Sequence, residues 1–233
     1  MIHFDELTAM NSLDAISLLR TQSLTSVVYE ELERLIAAGD LVPGEPLRES
    51  TVATQMGISR GPVREAFRML EERGLLEFEK NCGARLRQLN LEQATHIYQV
   101  RIPLEGLIGE LSAEHLNDEG KQALEQVLAD MQTAVQQKNV SRYTALNFQF
   151  HDLLAQYSNN PVLYDSYRRL VVQLKLCRSY TFRHNPDSIS ISLREHQAIY
   201  AAIAAANAKL ASDLLQQHAT ASLERFKNVA QSA

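Results

Sequence analysis

The sequence predicts a mainly α-helical protein in two parts: an N-terminal unit of three helices and a β-hairpin, followed by an all-α antiparallel helical bundle. Apolar residues recur at helical spacing up to Leu70, and then alternate with charged residues over the next short segments. After Asn90 the chain has few glycines and long amphipathic stretches with almost no strand signal. Its 233 residues are enough for two modest domains.

Composition limits the class of protein. The formal net charge of −5 argues against indiscriminate nucleic-acid binding but allows a small local DNA-binding face. Cys82 and Cys177 are too few and too far apart for a disulfide framework. The acidic start lacks the basic region of a signal peptide, and the longest apolar run, around residues 198–206, is too short to span a bilayer. We therefore expect a cytoplasmic protein with no membrane partner.

The first two helices are predicted from apolar stripes that end at turn residues. Residues 23–38 form the first helix, and Gly39 follows at the position where glycine commonly ends a helix. Its buried stripe consists of Val28, Leu32, Leu35 and Ile36. A connection rich in turn residues leads to a shorter helix at 49–56. Residues 1–22 show no clear pattern and are assigned to an N-terminal arm.

The third helix lies in the most informative stretch of the chain, residues 57–74. Gly57 permits a tight turn, Ser59 suits the N-cap position, where its side chain accepts a backbone N–H, and Gly74 ends the helix. The apolar face consists of Val63, Ala66, Phe67 and Leu70. The neighbouring flank carries Arg60, Arg64 and Arg68. Such a helix suits a DNA major groove, although solvated arginines are the commoner explanation of an isolated arginine stripe.

The elements around this helix favour DNA binding. Leu76 and Phe78 alternate with glutamates, residues 80–83 make a turn, and Ala84 and Leu86 alternate with arginines. This pattern predicts a two-stranded hairpin with Gly83 near its tip. Three helices with helix-turn-helix spacing, followed by a hairpin, make up a winged helix-turn-helix.

Residues 23–89 resemble the DNA-binding domain of the GntR family of bacterial transcription regulators. The matching segments are LVPGEPLRE at 41–49, GISRGPVREA at 57–66 and LEERGL at 70–75. The resemblance implies that Arg60 and Arg64 contact the operator and that the wing tip enters the minor groove. The family often has a second arginine where this chain has Ser50, and a basic residue or histidine near Asn81 and Cys82. The expected DNA-binding residues are Arg48, Ser50, Ser59, Arg60, Arg64 and Gly83.

The remaining chain predicts a bundle of about six helices with short loops. These are expected at 91–117, 119–137, 140–158, 161–183, 188–206 and 208–231. Asn147 and His151 are four residues apart and therefore share a helix face. His196 and His218 follow on later helices. Imidazole nitrogens suit Zn²⁺ or Ni²⁺, and bundle cores commonly hold metal sites, but from spacing alone ordinary interface or surface histidines are the commoner explanation.

Residues 91–231 resemble the FCD ligand-binding domain that accompanies this DNA-binding domain in the FadR subfamily. The resemblance implies dimerisation and a divalent metal, Zn²⁺ or Ni²⁺, held by an aspartate and three histidines, here Asn147, His151, His196 and His218. Asn147 replaces the usual aspartate and brings no negative charge, so weaker metal affinity is expected.

Two arginines are candidates for binding an effector. Arg101 and Glu105 match the family's Arg-x3-Glu pattern on the first helix of this domain, and Arg178 is a second candidate. A guanidinium binds both oxygens of a carboxylate, which suggests a small organic acid as effector. An intrahelical Arg101–Glu105 pair, worth ~0.3 kcal/mol, explains the same spacing.

The leading hypothesis is a ligand-responsive transcription regulator that binds double-stranded operator DNA with an inverted repeat as a homodimer. One alternative is a helical metal-dependent enzyme with an accessory winged-helix domain, since three histidines with open coordination positions can support catalysis. The chain shows no obvious general base or nucleophile motif to accompany them. Another is a DNA-binding protein whose helical domain only dimerises.

Overall fold

The computed structural model describes residues 24–38, 40–79 and 83–232. The predicted N-terminal arm and the turn containing Asn81 and Cys82 lie outside these residues. The described chain divides into two compact units, with the boundary after Gln88. Within the described residues, no helix combines the length and apolar character needed to cross a membrane.

The N-terminal unit has the predicted three helices and hairpin. Its elements are α1 (Leu24–Ala38), β1 (Pro46–Leu47), α2 (Glu49–Gln55), α3 (Arg60–Glu72), β2 (Leu76–Glu79) and β3 (Gly83–Leu86). The apolar stripes predicted for α1 and α3 are buried, and the two helices pack together. Since Phe67 and Leu70 are fully buried, the opposite flank of α3 is the side that remains for solvent or DNA.

The glycines before and after α3 have the backbone conformation that the sequence predicts. Gly57 and Gly74 have φ angles of 65° and 71°, in the left-handed region that favours glycine. Ser59 occupies the N-cap position with an extended backbone, but its side chain makes no capping hydrogen bond, contrary to expectation. The start of α3 is exposed, so its N–H groups do not require a protein acceptor.

The sheet has one strand more than the sequence analysis expected. The strand order is β1-β3-β2 and both pairs are antiparallel, with Pro46 opposite Arg85 and Leu76 opposite Leu86. A two-residue strand is too short to show alternation, which explains why this segment was interpreted as a connection. Arg85 Nη1 donates to the Gly44 carbonyl at 2.9 Å and ties this connection to the hairpin.

The C-terminal unit is all-helical. Its elements are α4 (Leu91–His115), α5 (Asp118–Gln136), α6 (Val140–Tyr157), α7 (Pro161–His184), α8 (Ser188–Ala204) and α9 (Ala208–Ser232). All six agree with the predicted helices to within about two residues at each end. Asn90 caps α4 through a capping box with Gln93, which satisfies backbone N–H groups at the helix start.

Close packing of α4 on α9 depends on a glycine. A Cβ atom added at Gly109 would lie 2.7 Å from the Ala211 carbonyl oxygen, which belongs to the backbone and cannot rotate away. We expect Gly109→Ala to lower the free energy of unfolding by about 1–3 kcal/mol, because the helices must separate. Chemical denaturation measures the change.

The matched control is Gly61→Ala, since a Cβ there meets no atom within 4 Å in the described structure and the residue is also helical. Alanine at this position should be neutral or stabilising, because it favours a helix more than glycine does. Equal stability of Gly109→Ala and the unmodified protein would contradict the packing argument.

Candidate functional site

Five of the six DNA-binding candidates are exposed residues of the N-terminal unit, and the sixth is half-buried. Arg60 and Arg64 are exposed on α3, Arg48 is exposed immediately before α2, and Gly83 is exposed at the start of β3. The others are Ser59, which is exposed, and Ser50, which is half-buried on α2. The helix that precedes the turn and the helix that follows it therefore both present candidates.

Arg64 is held in place by an acidic residue of α2. Its Nε lies 3.2 Å and 3.3 Å from the two carboxylate oxygens of Glu49. The Arg64 side chain remains 54% exposed. In the part of the chain that the structure describes, this contact engages only Nε, so the terminal amino groups retain the hydrogens that a guanine or a phosphate accepts.

Three histidines converge in the core of the C-terminal unit. His151 of α6, His196 of α8 and His218 of α9 are buried, and one ring nitrogen from each lies within 4.8 Å of the others. The Nε2 atoms of His151 and His196 are 3.2 Å apart. Two nitrogens bound to one ion at about 2.1 Å are separated by about 3.0–3.4 Å, so this spacing suits a shared metal.

The Nδ1 atoms of the histidines meet partners on other helices. His218 Nδ1 lies 2.6 Å from Glu195 Oε2, and His151 Nδ1 lies 3.4 Å from Glu105 Oε1. A carboxylate only accepts, so a neutral His218 ring that donates to Glu195 carries its proton on Nδ1 and its lone pair on Nε2. His196 Nδ1 lies 3.4 Å from the Tyr143 hydroxyl. Ligating histidines in metal proteins are commonly oriented through such contacts.

Asn147 supports the fit of a divalent ion to this cluster. It lies one helical turn before His151, is fully buried, and neither its Oδ1 nor its Nδ2 has a hydrogen-bond partner in the described structure. Leaving a buried amide unpaired is costly, and coordination through Oδ1 would remove part of that cost. One neutral oxygen and three imidazole nitrogens are together a suitable donor set for Zn²⁺ or Ni²⁺.

Arg101 is buried and its charge is balanced within the protein. Its guanidinium donates to Glu105 Oε1 through Nε, at 2.7 Å, and through Nη2. The Tyr167 hydroxyl donates to the same oxygen at 2.7 Å. Burial alone lowers the pKa of Arg101, but the negative charge of Glu105, the contributions of Tyr167 and Tyr98 and the hydrogen bond to Glu105 together outweigh it, and the pKa is raised. This pair connects Arg101 to His151 through Glu105.

Two further buried polar groups of the C-terminal unit have no hydrogen-bond partner in the described structure. They are Glu105 Oε2 and Ser192 Oγ. Ser192 lies four residues before His196 on α8, so both share a face of that helix. Asn147 and Ser192 thus each lie one helical turn before a histidine of the cluster, and Glu105 Oε1 lies 3.4 Å from His151 Nδ1.

Sequence reasoning missed several residues around this site. Glu195, Tyr143 and Ser192 had no motif that connected them to a metal. The histidines that Glu195 and Tyr143 contact are far away in sequence. The spacing of Ser192 and His196 repeats that of Asn147 and His151, which was the one available signal. Arg178 lies on α7, and its side chain is outside the described part of the structure.

A winged helix-turn-helix joined to a helical domain with a buried polar site defines a DNA-binding transcription regulator with a ligand-binding domain. The family model described as "Bacterial regulatory proteins, gntR family" matches residues 24–86, and that of the FCD domain matches residues 96–221. The chain therefore belongs to the GntR family of bacterial transcription regulators, in its FCD-containing branch.

Individual relatives agree with this assignment. The chain is 32% identical to the uncharacterized HTH-type transcriptional regulator YdhC of Bacillus subtilis, over 86% of this chain and 90% of that protein. It is 26% identical to the HTH-type transcriptional repressor RspR of Escherichia coli, over 91% and 92% of the two chains. These relatives are transcription regulators, not enzymes, which excludes the enzymatic alternative.

Solved structures share the fold. The structure of E. coli McbR/YncC superposes with a TM-score of 0.82 at 23% identity, covering 89% of this chain and 98% of that one. The crystal structure of a putative transcriptional regulator GntR from Rhodococcus sp. RHA1 superposes with a TM-score of 0.72 at 24% identity, covering 89% of this chain and 99% of that one.

Proposed function

We propose that this regulator binds an inverted-repeat operator as a homodimer and responds to a small organic acid held with the assistance of a divalent metal ion. The observation that carries the proposal is the buried cluster of three histidines, together with buried polar groups without partners on the same helices or on a residue that contacts the cluster. A folded core does not keep such groups unpaired without cost, so a polar ligand is the natural partner.

The residues for the metal are Asn147, His151, His196 and His218. A bound ion supplies positive charge and open coordination positions for an acid. Glu195 holds His218 with Nε2 as the acceptor nitrogen, Glu105 lies beside His151 Nδ1, and Tyr143 lies against His196. Arg101 donates to Glu105 Oε1 and holds this carboxylate in place, so its role toward the ligand is transmitted through Glu105.

The buried groups without hydrogen-bond partners indicate which polar groups a ligand must carry. Asn147 Nδ2 donates, Ser192 Oγ donates or accepts, and Glu105 Oε2 only accepts. A carboxylate satisfies the donors, whereas a hydroxyl on the same ligand would donate to Glu105. We therefore expect a 2-hydroxy acid to bind more tightly than the acid that lacks the hydroxyl.

The DNA side of the proposal rests on the exposed arginines of α3. A two-fold dimer would place two such helices on two half-sites, which is why an inverted repeat is expected. Coupling requires that the acid bind the DNA-competent and DNA-incompetent states with different affinities. Selecting bound duplexes from a randomised library, and measuring the mass of the complex by light scattering, tests the repeat and the dimer together.

Thermal unfolding with and without candidate acids tests the effector site. The Zn²⁺-loaded protein should gain stability from malate and lactate, and less from succinate and propionate. Ser192→Ala should reduce this gain, because it removes a ligand contact, while leaving the ligand-free protein equally or more stable, since an unpaired hydroxyl is lost. The proposal fails if neutral sugars stabilise the protein and carboxylates do not.

A further inference from the structure

Glu195 joins one of the clustered histidines to an arginine that lies outside the cluster. Its Oε2 lies 2.6 Å from His218 Nδ1. Arg225 binds both of its oxygens, with Nη1 to Oε1 and Nη2 to Oε2 each at 2.8 Å. The Arg225 and Glu195 side chains are 14% and 25% exposed, so solvent reaches this pair only partly.

We propose that Arg225 is a positioning residue of the metal centre and acts on it through Glu195. The inference rests on the metal-binding part of the proposed function. A glutamate side chain has three rotatable bonds, and a hydrogen bond from one histidine does not fix them all. The bidentate contact of the guanidinium fixes the orientation of the carboxylate, and the carboxylate fixes the orientation of the His218 ring.

The positions of the residues connect two helices to the site. Glu195 directly precedes His196 on α8, so that helix supplies one histidine of the cluster and the carboxylate that orients another. Arg225 lies seven residues, about two turns, after His218 on α9, which places both on one face of that helix. Arg225 therefore connects the metal centre to the last part of α9.

A purely structural salt bridge between α8 and α9 would have a different consequence. Its loss would destabilise the metal-free and the metal-loaded protein alike. A positioning role predicts a loss of metal affinity beyond any loss of stability, because the misoriented His218 ring is a poorer ligand.

The test uses the full chain with Zn²⁺ affinity from chelator competition and the visible spectrum of the Co²⁺-substituted protein. We expect Arg225→Gln and Glu195→Gln each to weaken Zn²⁺ binding by about 10–100-fold and to alter the Co²⁺ spectrum. Arg225→Lys keeps the charge without the fork and should restore part of the affinity. Thermal unfolding of each metal-free variant separates an effect on stability from an effect on metal affinity. If Arg225→Gln does not fold, the Zn²⁺ affinity of Arg225→Lys tests the proposal instead.

Arg142→Gln is the control, because Arg142 pairs with Asp130 on the protein surface at 3.3 Å. It should bind Zn²⁺ normally. The inference is overturned if Arg225→Gln binds Zn²⁺ as tightly as the unmodified protein and gives the same Co²⁺ spectrum, while His218→Ala does not bind. If the unmodified protein binds neither Zn²⁺ nor Ni²⁺, the metal centre and this inference fail together.

Discussion

Arg64→Ala and Arg60→Ala should each weaken operator binding by about 1–3 kcal/mol if the side chain makes a bidentate contact to a base. Both arginines are exposed on the flank of α3 that neighbours its buried face. Arg64 is also oriented by Glu49, so less side-chain freedom is lost on binding than for an unrestrained arginine. Fluorescence anisotropy with the duplex selected by the unmodified protein measures the loss.

The same titrations distinguish base contacts from phosphate contacts. Loss of a base contact relaxes the preference at one position of the half-site, which repeated selection with each variant detects. Loss of a phosphate contact weakens binding to all sequences and lowers the salt slope by about 1. Arg34→Ala removes the same charge from α1 and should change affinity less. If both α3 variants bind the selected duplex normally, α3 does not read the operator.

His196→Ala should abolish specific metal binding, with a loss exceeding the ~10–100-fold that changes around a metal ligand typically cause. His196 is fully buried and its Nε2 lies 3.2 Å from that of His151, so no solvent-exposed group can replace it without rearrangement. Elemental analysis after loading with Zn²⁺ or Ni²⁺, together with calorimetric titration, measures the effect. Normal metal content in this variant would contradict the assignment of the site.

Asn147→Asp should tighten metal binding, because a carboxylate adds a negative charge at a position whose amide has no partner in the described structure. Without metal the same variant should be less stable, since a buried carboxylate then lacks compensation. Gln149→Glu is the matched control: it adds the same charge to α6 at an exposed position and should leave metal affinity nearly unchanged. Equal affinities for Asn147→Asp and the unmodified protein would argue against ligation by this residue.

Local patterns account for the parts of the structure that the sequence predicted well. The stripe of Val63, Phe67 and Leu70 gave both the extent of α3 and its buried face, because helical periodicity depends on near neighbours. Gly57 and Gly74 marked its boundaries because each requires a left-handed backbone that other residues rarely adopt. Short-range signals failed for β1, whose pairing with β3 joins residues about forty positions apart.

The sequence by itself determined the two-part architecture, the helix bounds and the residue types available for DNA and metal binding. Only the tertiary structure decided that His151, His196 and His218 meet, since these residues lie on three helices and at least 22 positions separate any two of them. It also buried the Arg101–Glu105 pair, which the spacing of four residues already allowed, and it brought Glu195 into contact with both His218 and Arg225. Helix periodicity determines which face of a helix a side chain occupies, but packing between helices determines which faces meet. The chemistry of this buried site depends on that packing.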